Sequence, residues 1–200
     1  EYSAQSNLKR VYLELGGKSP NIVFNDVADL AGAAKVSASG IFRNSGQVCV
    51  AGSRLLVQQG IAEAFLEKLV DHAGKIRIGD PLDLSNDTGA VSSAAQLEQD
   101  LNYIDIAKRE GGRLVTGGNR LLEETGGYYL EPTIFDAITP DMTLAQKEVF
   151  GPVLAVTTFK NEEDAVRLAN ESDFGLAAAV WTADLSVAHR MIRAVRAGVI

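Results

Sequence analysis

The sequence has very little cysteine and histidine, and both scarcities narrow the class of protein. One cysteine occurs among 200 residues. A single thiol excludes an internal disulfide framework and indicates a reducing compartment, so we expect a cytoplasmic protein. The two histidines, His72 and His189, fall in different predicted helices, with no cysteine or carboxylate at ligand spacing. We therefore expect no zinc site and no other bound metal.

Long apolar runs and an excess of positive charge are also lacking. No apolar segment approaches the roughly 20 residues that cross a bilayer. The first residues, EYSAQSNLKRVYLEL, lack the basic and then apolar regions of a signal peptide. The net charge of −7 argues against nucleic acid or an anionic membrane as a partner. With 46% apolar and 22% charged residues, the composition predicts one globular domain over residues 1–200.

Phosphate-binding motifs are absent as well. The GKS at positions 17–19 matches the end of a P-loop, but that loop needs a glycine where this chain has Tyr12. No G-x-G-x-x-G follows a predicted strand either. The sequence therefore predicts no dinucleotide-binding loop within these residues.

What is present is a regular alternation of apolar runs of strand length with segments of helical period. The predicted strands are RVYLEL (10–15), NIVFN (21–25), LLVQQ (55–59), RLVTGG (113–118), YYLEPTIF (128–135), VLAVTTF (153–159) and LAAAVWT (176–182). The predicted helices cover 29–42, 61–75, 92–110, 162–172 and 184–196. Such alternation predicts an α/β fold, an open three-layer α/β/α sheet. The last residues, AGVI, are typical of the start of a strand, so we expect the domain to continue past residue 200.

The only thiol, Cys49, lies in the segment FRNSGQVCVAGSR. A lone cysteine is commonly a small, buried, inert side chain. Here Gly46 and Gly52 would let the backbone approach a ligand closely, because neither has a Cβ atom. Val48 and Val50 would form an apolar wall on either side of the sulfur. These neighbours favour a nucleophile over an inert thiol.

An acidic residue, Glu14, stands at the predicted end of the first strand, just before the glycine pair at 16–17. Open α/β sheets place site residues at strand ends, which makes Glu14 a candidate partner for Cys49. The alternative is a solvated strand terminus with no chemical role. The pattern alone leaves both interpretations open.

Three segments carry a family resemblance: LELGGKSPNIVF, FRNSGQVCVAGSR and KEVFGPV. They resemble signature segments of the NAD(P)-dependent aldehyde dehydrogenase superfamily, in the family's order and near its spacing. FGLAAAVWTADLSVAHR resembles a fourth segment, so the likeness runs from Leu8 to the last residue. It implies the catalytic domain of that fold, with the nucleotide-binding domain before Glu1 and a further segment after Ile200. AVWTADLSVAHRM most resembles the branch that oxidises γ-glutamyl-γ-aminobutyraldehyde, which makes an amino-aldehyde one candidate among small aldehyde substrates.

The resemblance assigns Cys49 as the catalytic nucleophile and Glu14 as the general base. Two alternatives remain at this point. A coenzyme A-acylating relative would resolve the thioester with a thiol, but such relatives generally lack the base carboxylate, and Glu14 is present. A non-catalytic assembly module could retain the fold without turnover, which the joint presence of Cys49, Glu14 and Glu148 disfavours.

The resemblance also implies the cofactor and its contacts. Glu148 matches the residue that holds the nicotinamide ribose and Phe150 the one that packs near the nicotinamide ring, with further contacts from Leu15 and Gly16. Lys147 departs from the family pattern, which often has a second acid there. The expected cofactor is NAD or NADP, with NAD favoured. The whole protein is expected to form a homodimer or homotetramer, and these 200 residues alone are expected to be nearly inactive.

Overall fold

The structure, a computed structural model, describes residues 1–200 as an alternation of eight strands and six α-helices. The strands are β1 (Pro20–Val23), β2 (Arg54–Gln58), β3 (Arg113–Thr116), β4 (Arg120–Leu121), β5 (Tyr129–Leu130), β6 (Thr133–Asp136), β7 (Val153–Phe159) and β8 (Ala179–Trp181). The helices are α1 (Leu30–Phe42), α2 (Ala62–Ala73), α3 (Ala94–Arg109), α4 (Thr143–Gln146), α5 (Glu162–Asn170) and α6 (Leu185–Ala194). Short 3₁₀ segments cover Gln59–Ile61 and Glu123–Thr125.

Six of the strands form one sheet in the order β3-β6-β7-β2-β1-β8. Every neighbouring pair is parallel except β3 and β6, which are antiparallel at one edge. Strands β4 and β5 form a separate antiparallel pair. The crossover helices that parallel strands require lie on both faces of the large sheet. The predicted open three-layer α/β/α fold is confirmed.

The alternation of side chains along the central strands fills a core on each face of the sheet. On one face Val23, Leu55 and Leu154 pack with apolar residues of α1 and α2. On the other face Ile22 and Leu56 pack with α5 and α6, while residues of β6 and β7 pack with α3 and α4. The sequences of the middle strands are therefore nearly continuous apolar runs, because both faces of these strands are buried.

Polar caps explain why the helices start close to their predicted positions. The side chains of Asp29, Ser93, Asn161 and Asp184 each accept a hydrogen bond from a backbone N–H in the first turn of α1, α3, α5 and α6, respectively. Such caps satisfy donors that have no partner within the helix. The starts of these helices could therefore be predicted from the sequence to within a few residues.

Two predicted strands were wrong. RVYLEL (10–15) forms no strand: its residues make no backbone hydrogen bond, and Tyr12 and Leu13 are 85% and 71% exposed. The outer edge of β1, where such a segment could have paired, is occupied by β8. YYLEPTIF is divided into β5 and β6, and Pro132, which lacks an N–H, lies between them.

No helix in the chain combines the length and the apolar character that crossing a membrane requires.

Candidate active site

Three loops meet at the amino ends of the parallel strands β1, β2 and β7. The pair Gly16–Gly17 precedes β1, the loop with Cys49 precedes β2, and the turn Glu148–Gly151 precedes β7. Glu14 was expected at the end of a strand, where open α/β sheets place site residues. The structure forms no strand there, and the loops with Cys49, Gly16 and Glu148 meet at the amino ends of three other strands.

Gly17 joins the three loops. Its N–H donates a hydrogen bond to the Glu148 carboxylate, with N and Oε1 3.0 Å apart. A Cβ atom on Gly17 would lie only 2.5 Å from the carbonyl oxygen of Cys49. A Cβ atom on Gly16 would collide with the other carboxylate oxygen of Glu148. The glycine pair is therefore packed between the thiol loop and the acidic turn, where no larger residue fits.

The loop that leads to Cys49 begins with three successive left-handed residues. Asn44, Ser45 and Gly46 have φ values of 52°, 54° and 73°. This conformation is costly for residues with a Cβ atom, and it persists only where surrounding contacts impose it. It turns the chain sharply at the end of α1 and sends it toward the sheet edge.

The segment Thr88–Ser92 supplies contacts that impose this conformation. The Ser45 N–H donates to the Thr88 hydroxyl at 3.1 Å, and the Ser45 hydroxyl donates to the Gly89 carbonyl at 2.7 Å. The Gln47 amide donates to the Ser92 hydroxyl and accepts from the Ser92 N–H, both at 2.9 Å. The loop is therefore fixed on both sides of Gly46.

Cys49 itself is half-buried and carries a free thiol. Val48 packs against the core, whereas Val50 is 51% exposed, so the two valines beside Cys49 lie in different surroundings. The two glycines are also packed closely against other parts of the chain. A Cβ atom on Gly46 would collide with the Gly151 backbone, and one on Gly52 would lie 3.2 Å from the Asn21 Cβ. Gly46 therefore makes room for the Gly151 backbone, and the approach of a ligand to either glycine stays a prediction.

The turn with Glu148 is strained in the same way as the cysteine loop. Phe150 has a φ of 62°, which is rare for an aromatic residue. Helix α3 holds this turn through the Val149 carbonyl, which accepts a hydrogen bond from the side-chain amide of Gln96 and another from that of Gln99, each at 3.0 Å. Glu148 and Phe150 are both half-buried.

These residues fit the ribose of a nicotinamide cofactor. One oxygen of the Glu148 carboxylate is fixed by the Gly17 N–H. The other oxygen occupies the space that a side chain at Gly16 would fill. A carboxylate oriented in this way accepts hydrogen bonds from vicinal hydroxyls, as acidic residues do at ribose sites. The exposed surface of Gly16 lies beside it.

Two buried basic residues, Lys18 and Arg54, lie next to the glycine pair. The Arg54 guanidinium donates to the carbonyl oxygens of Lys18, Leu168 and Ala169 at 2.8, 2.9 and 2.8 Å. It thereby fixes the backbone next to Gly17 and satisfies the carboxyl end of α5. The Lys18 ammonium is buried without a hydrogen-bond partner. Burial and, to a smaller extent, the Arg54 charge lower the pKa of Lys18 to about 7, although the Glu148 charge raises it.

Glu14 and Leu15 are placed differently from the other predicted site residues. Both are exposed, in the segment before Gly16 that belongs to no strand. No hydrogen bond joins the Glu14 side chain to any other residue. The structure therefore brings together the loop with Cys49, Gly16, Glu148 and Phe150, whereas Glu14 lies in the exposed segment that precedes Gly16. No group of three or more His, Cys, Asp or Glu side chains is placed to hold a metal ion.

Comparison with known proteins identifies the family of the chain. The model of the aldehyde dehydrogenase family matches residues 1–200, the whole chain. The chain belongs to the aldehyde dehydrogenase family. Its resemblance to that family in the sequence is thereby confirmed.

The aldehyde dehydrogenases that are similar to this chain are named for different aldehyde substrates. A betaine aldehyde dehydrogenase of Cereibacter sphaeroides is 50% identical over 196 residues, which are 98% of this chain and 40% of that protein. A crystal structure of an indole-3-acetaldehyde dehydrogenase in complex with NAD⁺ has 52% identity and a TM-score of 0.95, covering 99% of this chain and 40% of the other. A γ-glutamyl-γ-aminobutyraldehyde dehydrogenase from Burkholderia cenocepacia has 54% identity and a TM-score of 0.93 at the same coverage. The chain thus spans about 40% of the length of these relatives.

Some residues that support the candidate site were missed in the sequence. Gln96, Gln99 and Asp100 lie in a helix predicted only from its apolar period, and nothing in that period indicates that their side chains face the turn at 148–151. Arg54 follows the cysteine segment directly, and a charged residue at the start of a buried strand was the signal that could have revealed it.

Proposed function

We propose that this chain is the catalytic domain of an NAD-dependent aldehyde dehydrogenase that oxidises an aldehyde to a carboxylic acid through Cys49. One observation supports this proposal more strongly than the other observations do. The loop that carries the free thiol of Cys49 is strained and braced, and the Cys49 backbone packs against Gly17, whose N–H binds the Glu148 carboxylate. Strain retained at a surface loop is typical of functional sites.

The first chemical step uses the thiolate as nucleophile. The Cys49 sulfur forms a bond with the aldehyde carbon, and the carbonyl π electrons move to the oxygen, giving a tetrahedral oxyanion. Backbone N–H groups near the sulfur, including that of Cys49, are the donors this chain can offer to the oxyanion. The left-handed turn at 44–46 fixes the backbone just ahead of these groups.

Bound NAD supplies the acceptor for the hydride that leaves the tetrahedral carbon. Glu148 would orient the ribose through its free carboxylate oxygen, and Phe150 would border the nicotinamide ring. The carbon remains attached to Cys49 as a thioester. Water then adds to the thioester carbon, a carboxylate takes the proton, and the carboxylic acid leaves with release of the thiolate. We assign the role of base to Glu14, whose free carboxylate has no competing partner.

For the substrate, we propose a small aldehyde, with amino-aldehydes as one class to be tested. The support is the likeness to proteins named for betaine aldehyde and γ-glutamyl-γ-aminobutyraldehyde. We further propose that the whole protein contains a separate nucleotide-binding domain and works in the cytoplasm as a homodimer or homotetramer. The support for the extra domain is the 40% share of the relatives that this chain covers.

The decisive experiment compares the whole protein with its Cys49→Ser variant on a panel of aldehydes, with NAD and with NADP. A hydroxyl is a far weaker nucleophile than a thiolate at neutral pH, so the variant should lose turnover with every aldehyde. Its circular dichroism spectrum and urea midpoint should match the wild type. Wild-type turnover in the serine variant would refute Cys49 as the nucleophile. Product release that depends on added coenzyme A would favour the acylating alternative.

A further inference from the structure

Helix α3 supports the turn that presents Glu148 and Phe150, and one acidic residue of that helix is enclosed beneath the turn. Asp100 is completely buried, with a relative exposure of 0%. One of its carboxyl oxygens, Oδ1, accepts a hydrogen bond from the Gln96 side-chain amide at 2.8 Å. The other oxygen, Oδ2, has no hydrogen-bond partner. A buried polar atom without a partner is uncommon and costly, which calls for a physical reason.

The Asp100 carboxyl is packed directly against the backbone of the turn. A Cβ atom on Gly151 would collide with all three atoms of that carboxyl group, although the Gly151 backbone is not in the left-handed region. The same Gln96 amide that binds Asp100 also donates to the Val149 carbonyl at 3.0 Å. Asp100 therefore contacts the turn on both sides of Phe150, through Gly151 directly and through Val149 by way of Gln96.

The turn is in addition the support of the cysteine loop. A Cβ atom on Gly46 would collide with the carbonyl group of Gly151. Gly46 ends the left-handed run that leads to Cys49. Any displacement of the turn at Gly151 would be passed to the thiol loop and to Glu148 together.

We propose that Asp100 is a positioning residue for the cofactor: its carboxyl group, packed against Gly151 and linked to Val149 by Gln96, keeps Glu148 and Phe150 in their binding conformation. This inference rests on the proposed dehydrogenase function and deepens it. It assigns to α3 a role that neither the thiol nor the acidic turn reveals.

The surroundings of Asp100 favour the uncharged form. Burial raises the pKa of Asp100 to about 7, and the hydrogen bond from Gln96 opposes this only in part. Charged residues occur on the elements around Asp100, namely Glu98 on α3 and Lys147 and Glu148 in the turn, but no charge contributes to the pKa of Asp100. No cation compensates the carboxylate, so its ionisation places an isolated charge against the turn.

The sign of the pH effect follows from this raised pKa. The unfolded chain releases the Asp100 proton near pH 3.8, whereas the folded chain keeps it to about pH 7. The stability that this group contributes is complete below the lower value and is lost as the pH rises through the higher one. Above pH 7 the buried charge should make the turn more mobile and should weaken the binding of the cofactor.

The first test compares the whole protein with Asp100→Asn, which keeps the shape of the side chain and cannot ionise. In the wild type, KM for NAD should rise roughly three- to tenfold between pH 6 and 8.5, as expected when a hydrogen bond to the ribose loses its alignment. In the Asp100→Asn variant this rise should be absent, with kcat affected less than KM. The variant Asp105→Asn, at an exposed acid of the same helix, should keep the wild-type profile. Equal pH dependence of KM in the wild type and Asp100→Asn would overturn the proposal.

The second test needs no cofactor and no turnover. Hydrogen–deuterium exchange of the peptide over 147–153 should accelerate above pH 7 beyond the intrinsic chemical rate in the wild type, but not in Asp100→Asn. If Asp100→Asn fails to fold, the wild-type titration remains, together with Gly151→Ala. That variant should show fast exchange over 147–153, and adding Asp100→Ala should slow it again by making room for the methyl group.

The outcomes separate the two hypotheses. A whole protein that oxidises no aldehyde at any pH, yet shows pH-dependent exchange at the turn, would refute the proposed function and retain the coupling of Asp100 to Gly151. An active dehydrogenase whose turn exchanges identically in the wild type and Asp100→Asn would retain the function and refute the positioning role.

Discussion

Cys49 and Glu14 differ in how firmly the chain fixes them. Cys49 follows a braced turn and is half-buried, whereas Glu14 is exposed on a segment without backbone hydrogen bonds. A nucleophile must meet the aldehyde at a defined angle, so a fixed position suits it. A base that activates water after hydride transfer can act from a less restrained position. This contrast separates the steps that each residue should control.

The variant Glu14→Gln should therefore slow only the second half of the cycle. Formation of the thioester needs Cys49 and NAD, and the glutamine leaves both in place. Hydrolysis should slow by about 10²–10⁴-fold, because no carboxylate takes the proton of the attacking water. Rapid mixing with excess aldehyde should show a burst of about one NADH per active site, followed by a slow steady state.

Another exposed acid before the glycine pair provides a control for Glu14. Glu1 is also exposed and also precedes the glycine pair, so Glu1→Gln should leave both phases unchanged. A loss of the burst in Glu14→Gln, in proportion to the steady rate, would mean that Glu14 serves the activation of Cys49 or the structure of the segment instead of hydrolysis.

At the scale of elements, the cysteine loop stores strain that neighbouring hydrogen bonds offset. The Ser45 hydroxyl and N–H bind Gly89 and Thr88, and these bonds keep Ser45 left-handed with φ 54°. Ser45→Ala should lower the free energy of unfolding by about 1–3 kcal/mol, because it removes a buried hydroxyl and leaves the Gly89 carbonyl without a donor. The loop should also open more readily, so Cys49 should react faster with iodoacetamide.

A glycine at the same position separates strain from bonding. Ser45→Gly loses the same hydroxyl but removes the cost of a left-handed Cβ, so it should be less destabilising than Ser45→Ala. Ser39→Ala, at an exposed position of α1, should be neutral within about 0.5 kcal/mol. Urea titrations of the three variants measure the order of their free energies of unfolding. If alanine proves as stable as glycine at position 45, strain in the loop contributes nothing measurable.

Elements were predictable where one physical signal dominated. The apolar periods and the caps of α1 and α5 located both helices, and the apolar runs located β2 and β7. RVYLEL carries an equally good strand pattern, but a strand also needs a partner edge, and the sheet order that gives this edge to β8 is not encoded locally. The division of YYLEPTIF at Pro132 could have been predicted from the missing N–H.

At the scale of the whole molecule, the sequence predicted the layers but not which edge of the sheet the candidate site residues share. The α/β alternation implied helices on both faces, and the structure has them. The usual rule for open sheets pointed to the carboxyl ends of the strands, whereas Cys49 and Glu148 lie at the amino ends of β2 and β7. Which edge of a sheet binds a ligand depends on loop geometry, such as the left-handed run before Cys49, and periodicity does not report it.

The exposed segment before β1 bears on how these 200 residues behave by themselves. Val11, Tyr12, Leu13 and Leu15 are 58%, 85%, 71% and 56% exposed. Such a run of apolar side chains in water favours association with another surface. If the chain is one domain of a larger enzyme, as we propose, this segment and the face of Glu148 are where further protein would contact it.

We therefore expect the 200-residue chain to fold as an α/β domain but to be inactive alone. Glu148 and Phe150 can bind one edge of the cofactor, and no glycine-rich turn at a helix N-terminus is present to receive the pyrophosphate. Calorimetry should detect no NAD binding in the micromolar range, and no aldehyde should be oxidised. Cys49 should still be alkylated by iodoacetamide, with Cys49→Ser as the unreactive control, because its loop is fixed by contacts within the chain. Micromolar binding of NAD would contradict this expectation and would show that these residues contain a complete nucleotide site.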